Sequence, residues 1–109
     1  GHIVSGHVDG MGEVVAFEPV GESHLLRIRA PKDLERYIAR KGSITVQGVS
    51  LTVNAVDGAL FDINLIPHTV SHTSLGTLRV QHPVNLEIDT VARYVERMLR
   101  VDPSLQASA

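Results

Sequence analysis

Six histidines in 109 residues are the first feature of this chain that could carry chemistry. His2 and His7 stand five apart, and His68 and His72 four apart; the second spacing can bring two imidazoles to one face of a helical turn, as a metal site would need. No HExxH pattern or second carboxylate set accompanies either pair. The expectation is therefore no metal, with histidines that are exposed or hydrogen-bonded. Ser50, His7 and Asp89 can be combined on paper into a nucleophilic triad. Gly48-Val49-Ser50-Leu51-Thr52 nonetheless lacks the closing glycine of a nucleophile elbow. Ser50 and Thr52 are two apart, so on a strand both hydroxyls share a face, which suits hydrogen bonding to a polar ligand in or at the mouth of a barrel. The plainer alternative is the solvated face of a strand. Asp89 has a competing role as the cap of a following helix, and Lys41-Gly42 reads first as a basic residue and a glycine ending a helix.

The elements that would position these groups are mostly strands. Apolar residues in the first eighty positions recur with period two, in short runs separated by Gly, Pro, Asp and Asn. Glu13–Phe17 and His24–Arg29 flank the turn formers Glu18 to Glu22 and form a hairpin. Pro31 can open a short helix, with Leu34, Tyr37 and Ile38 on one face and Gly42 at its end. Ser50–Val56 places Leu51, Val53 and Ala55 opposite Ser50, Thr52 and Asn54. Asp57-Gly58 then turns the chain into Leu60–Ile66. Pro67 stops that strand, His68–Leu78 is polar, and Val84–Ile88 is the last strand. From Thr90 the period changes, because Val91, Val95, Met98 and Leu99 form a helical stripe. About six antiparallel strands, one short helix and a C-terminal amphipathic helix predict an all-β fold, a small closed barrel without free edges. The last helix follows a barrel that could close without it, so its stripe is either core or an oligomer contact.

Composition excludes several classes. The apolar fraction of 43% with 20% charged residues is that of one globular domain. Ten Lys+Arg against twelve Asp+Glu, without a basic block, leave no footprint for nucleic acid. The absence of cysteine removes disulfides, thiolate nucleophiles and zinc–thiolate sites, and accords with a cytoplasmic location. No apolar run approaches the ~18 residues of a membrane span, and no signal peptide opens the sequence. The chain begins with Gly1-His2 rather than Met, and a motif-like stretch starts at once. The expectation is a fragment of a longer protein.

In order along the chain stand Gly1-His2-Ile3-Val4-Ser5-Gly6-His7, Tyr37 to Ile44, Gly48 to Val53, Leu65-Ile66-Pro67-His68-Thr69, Thr73-Ser74-Leu75-Gly76 and Val84 to Asp89. This ordered set, from Gly1 to about Leu99, resembles the C-terminal lumazine-binding domain of the riboflavin synthase family. The resemblance implies a closed six-stranded antiparallel Greek-key β-barrel over 1–89, an oligomerisation helix over 90–101 and a flexible tail over 102–109. It implies an enzyme that passes a four-carbon unit between two molecules of 6,7-dimethyl-8-ribityllumazine. The products would be riboflavin and 5-amino-6-ribitylaminouracil, formed without metal or cofactor. The implied partners are the lumazine and riboflavin as ligands, the N-terminal barrel of a neighbouring subunit, absent from this sequence, and a homotrimer.

Carried over by motif, His7, Asp89 and Ser50 are the implied catalytic groups. Gly6, His7, Val8, Lys41, Ser50, Leu51, Thr52, Asn64, Leu65, Ile66, Pro67, His68 and Thr69 are the implied substrate contacts. Gln47 departs from the pattern, since members of the family often carry Asp there, and a neutral amide puts any charge role in doubt. The alternative within the same resemblance is a lumazine or flavin carrier module without turnover. A third class, a barrel serving only as an oligomer scaffold, predicts no binding of a ribityl ligand.

Overall fold

The computed structural model describes residues 2–3, as backbone, and 8–101. Its architecture grows from one long strand. β2 (Gly10–Val20) is too long to pair straight with a single neighbour, and it bends at a bulge between Val14 and Ala16. An extra residue in one strand of a pair raises twist and kinks the ladder. Before the bulge, Gly10–Glu13 pairs with β8 (Pro83–Ile88); from Glu13 onward it pairs with β3 (Ser23–Arg29). Gly12 permits close packing at this corner, because a Cβ there would lie 2.8 Å from both Ile28 Cγ2 and Leu86 Cδ1.

Either side of the corner, antiparallel pairing continues outward. β8 is followed by β4 (Ser43–Val46), then β5 (Val49–Thr52), then the two residues of β1 (His2–Ile3). β3 is followed by β7 (Leu60–Leu65) and β6 (Ala55–Asp57). The sheet thus has eight strands among the described residues, in the order β1-β5-β4-β8-β2-β3-β7-β6. Its inner face buries Val14, Leu26, Ile28, Val46, Ile63 and Leu86, and Phe61 is the bulkiest side chain lost from solvent.

The expected closed six-stranded Greek-key barrel is therefore corrected to an open, curled sheet. The reason lies in the segment expected as one strand, Ser50–Val56. It breaks at Val53 and Asn54, where Val53 N–H donates to Gly42 O and Asn54 N–H donates to Asp62 O, both at 2.8 Å. Its halves, β5 and β6, consequently join opposite ends of the sheet. β5 is held between β4 and β1, and β7 between β3 and β6. β1 reaches only Val49 and Ser50 of β5, and β6 only Leu60–Asp62 of β7, and among the described residues no ladder joins β5 to β7, so the cylinder stays open along the seam that Leu51–Thr52 and Ile63–Leu65 line.

Two further expectations change. The residues after Pro31 form a 3-10 helix, Lys32–Tyr37, that buries Leu34, and the chain is extended again at Ile38. Gly42 does not take the left-handed C-terminal position expected of it; Lys41 does, at φ +69°. The polar stretch after Pro67 contains α1 (Pro67–His72) and a 3-10 turn, Ser74–Thr77, capped by Thr73. α2 spans Thr90–Val101, and no helix among the described residues is long and apolar enough to cross a membrane. The expected tail, 102–109, lies outside the described residues.

Candidate functional site: the open seam

A cavity of about 350 Å³ occupies the seam, within the size range of small-molecule sites. β5 contributes Ser50, Leu51 and Thr52, and β7 contributes Ile63, Asn64 and Leu65. The strand period sorts these by character: Leu51, Ile63 and Leu65 are buried, Ser50 is half-buried, and Thr52 and Asn64 are exposed. Register adds Ser43, which lies opposite Thr52 on β4 and also lines the cavity. Among the described residues, the side chains of Ser43, Ser50, Thr52 and Asn64 make no hydrogen bond within the chain. The seam is thus an apolar wall edged with uncommitted hydroxyl and amide groups. An amphipathic ligand, with a flat apolar body and a polyhydroxyl arm, matches that pattern.

The floor beyond β7 depends on α1. Ile66 and Thr69 line the cavity, and Thr69 is 2% exposed. α1 is held by Val70 N–H donating to Ile66 O at 3.2 Å and by Thr73 Oγ1 donating to Thr69 O at 2.7 Å. Gly76 lies against it so closely that a Cβ would come within 2.2 Å of Val70 O. Pro67 and His68 belong to the same helix but do not line the cavity. The His68 and His72 rings stack on each other with centroids 4.0 Å apart, and His72 Nδ1 lies 2.7 Å from Ser71 Oγ. Among the described residues, no three His, Cys, Asp or Glu gather where they could hold a metal ion.

Other expected site residues fall elsewhere. Gly6 and His7 lie outside the described residues. The neighbouring backbone of β1 pairs His2 with Ser50, so the chain reaches the edge of β5 before that segment. Val8 is exposed and is not part of the cavity lining. Lys41 is in an adjoining groove rather than the cavity. Asp89 takes the competing role open to it: Oδ1 accepts from Val91 N–H at 3.2 Å, capping α2, and the residue does not line the seam. Gln47 also has a structural role. It and Gly48 have φ of +52° and +79°, as a primed hairpin turn requires. The Gln47 amide oxygen accepts from Asn85 N–H at 2.6 Å, an acceptor role that needs no charge.

Sequence reasoning missed Ser43 and Ile63. Ser43 could have been found by aligning β4 against β5 through the Gln47-Gly48 turn. Ile63 could not, because an apolar residue in a strand reads as core.

The open sheet and its seam define a small ligand-binding β domain. Comparison with known proteins narrows this class. The chain belongs to the lumazine-binding domain family, whose description, Lumazine binding domain, matches residues 5–89. It is 50% identical over 102 residues to the riboflavin synthase of Photobacterium phosphoreum, covering 94% of this chain and 47% of that protein. It is 48% identical over 103 residues to the riboflavin synthase of Mycobacterium bovis, covering 92% and 51%. The chain thus spans about half the length of the curated relatives it matches.

Among solved structures, LumP complexed with flavin mononucleotide aligns with a TM-score of 0.75 at 26% identity, covering 80% of this chain and 49% of that one. LumP complexed with 6,7-dimethyl-8-(1′-D-ribityl)lumazine gives 0.70 at 26% identity, covering 76% and 46%. These matches correct the expectation that this chain is itself an enzyme: solved structures that share its fold include ligand complexes of LumP.

Proposed function

We propose that the chain is a binding module for ribityl-bearing lumazines and flavins, seated in the seam between β5 and β7. The observation that carries this reading is the set of uncommitted polar side chains, Ser43, Ser50, Thr52 and Asn64, edging a wall of Leu51, Ile63 and Leu65. The wall takes the fused rings, and the hydroxyls and amide exchange their water for the ribityl hydroxyls. Ile66 and Thr69 close the far side, and Pro67 and His68 hold α1 in place behind them. By motif, Gly6 and His7 are the further ligand contacts of this reading, whereas Val8 stands outside the lining. The solved LumP complexes support this choice of ligand, because lumazine, riboflavin and flavin mononucleotide all carry a ribityl chain.

Titrating the intrinsic fluorescence of 6,7-dimethyl-8-ribityllumazine with the chain tests the reading. One ligand per chain is expected, with weaker binding after Ser50→Ala and Thr52→Val. No binding, or binding indifferent to both substitutions, overturns it.

Residues 1–89 act in this reading as the binding domain and α2 as its assembly element, consistent with the exposure of Val91, Val95 and Met98 on a single chain. Homotrimer formation and contact with a neighbouring N-terminal barrel belong to the same proposal. Val95→Lys with Met98→Lys should shift light scattering toward monomer while the strand circular dichroism persists. A scattering mass unchanged by both removes the assembly role.

A further inference from the structure

A second groove, of about 230 Å³, adjoins the seam cavity, and Thr52 and Asn64 line both. Its remaining walls include Arg40, Lys41 and Asn54. Arg40 and Lys41 are the central residues of a turn in which Gly42 N–H donates to Ala39 O at 2.9 Å. The turn is tied to the end of β5 by two backbone bonds of 2.8 Å, Lys41 N–H to Val53 O and Val53 N–H to Gly42 O. The backbone that carries the two cationic side chains is therefore fixed beside the end of β5, and both side chains line the groove with Thr52. Lys41 adopts the left-handed region that L residues avoid, a kind of strain that collects at functional sites.

Charge separates these two residues from most other arginines in the chain. Arg27, Arg29, Arg36, Arg93 and Arg100 all pair with carboxylates. Among the described residues Arg40 and Lys41 make no ion pair, and neither cavity is lined by an Asp or Glu. A neutral polyhydroxyl arm lying along Thr52 and Asn64 would end in this cationic groove.

We propose that Arg40 and Lys41 form an anion subsite for a phosphate monoester at the end of the ribityl chain, so that the module takes phosphorylated flavins and lumazines as well as unphosphorylated ones. The inference rests on the reading of the seam as a ribityl-ligand cavity. Flavin fluorescence titrations with riboflavin and with flavin mononucleotide, on the wild-type chain and on Arg40→Gln, test the two separately. Arg40→Gln should weaken flavin mononucleotide binding by about tenfold, the order expected for loss of one charge-assisted contact, and leave riboflavin within about twofold. Added salt should weaken only the phosphorylated ligand. Arg36→Gln removes the same charge from an arginine paired with Glu96 and outside the groove, and should leave the ratio of the two affinities unchanged.

If riboflavin binds and Arg40→Gln does not alter that ratio, or Arg36→Gln alters it equally, the subsite is overturned while the seam reading stands. If the wild-type chain binds neither flavin, the seam reading fails and the subsite with it.

Discussion

The corner where α2 meets the 3-10 helix Lys32–Tyr37 and the seam between β5 and β7 treat polar groups in opposite ways. At the corner, Glu96 accepts from Arg100 at 3.0 Å and from Arg36 at 3.4 Å, while Asp9 pairs with Arg93 and accepts from Ile88 N–H at 2.7 Å. Arg36 and Arg93 also lie over the Tyr37 ring at 5.5 and 5.3 Å. At the seam, the side chains of Ser43, Ser50, Thr52 and Asn64 line a cavity and make no hydrogen bond among the described residues. A polar group already satisfied within the fold gains little from a ligand, whereas one facing water in a concave site can exchange that water for a ligand hydroxyl. The corner holds the fold, and the seam is what the fold leaves free for recognition.

The largest effect should come from breaking the packing of the 3-10 turn on α1, which backs the seam. Gly76→Ala must displace the Val70 carbonyl, a backbone atom that cannot rotate away. A loss of about 2–3 kcal/mol is expected from such overpacking, read as a lower urea midpoint together with weakened lumazine binding. A midpoint within error of wild type would show that the 3-10 turn shifts freely. Next in size, Asp9→Ala leaves Ile88 N–H without its acceptor and should cost about 1–2 kcal/mol of stability. Lumazine affinity should survive in the folded fraction; loss of affinity would mean that corner and seam are coupled.

The complementary experiment acts on the seam alone. Ser50→Ala and Thr52→Val should each lower lumazine affinity by about 0.5–1.5 kcal/mol, one net hydrogen bond, and leave the urea midpoint unchanged. A fall in stability instead would place these hydroxyls with the structural polar groups.

The smallest effect concerns pH. The Arg100 hydrogen bond, helped by the charges of Arg100 and Arg36 and opposed by desolvation, holds the Glu96 carboxyl below its ordinary range. Its stabilising contribution is therefore complete above the unfolded carboxylate range and is lost as pH falls through the lowered folded value. The protection factors of the α2 amides, corrected for the intrinsic pH dependence of exchange, should stay constant from neutral to mildly acidic pH and fall only below the ordinary carboxylate range. Glu96→Gln should lack that acid limb; an identical limb in the variant would assign it to another group.

Much of the local structure was legible. The β2–β3 hairpin, the Gly58 turn at φ +60°, the last strand and the bounds of α2 follow from period, turn residues and the change of spacing after Asp89. The pairing of Ser50 with Thr52 on one face was equally plain. α1 was not, because His68–Leu78 lacks an apolar stripe and its helix is stabilised by packing rather than by propensity. The break at Val53–Asn54 was hidden as well, since alternation runs through it unchanged and only the bonds to Gly42 and Asp62 reveal the crossing.

By itself, then, the sequence determined the period of each segment, which side chains share a face and the family motifs, because these depend on residues near one another along the chain. Tertiary structure alone decided that the sheet stays open, that Asp89 caps a helix rather than facing the cavity, and that Ser43 and Ile63 join the wall. Those outcomes depend on which distant segments pair, and the break at Val53–Asn54 sends β5 and β6 to opposite ends of the sheet with no ladder between β5 and β7.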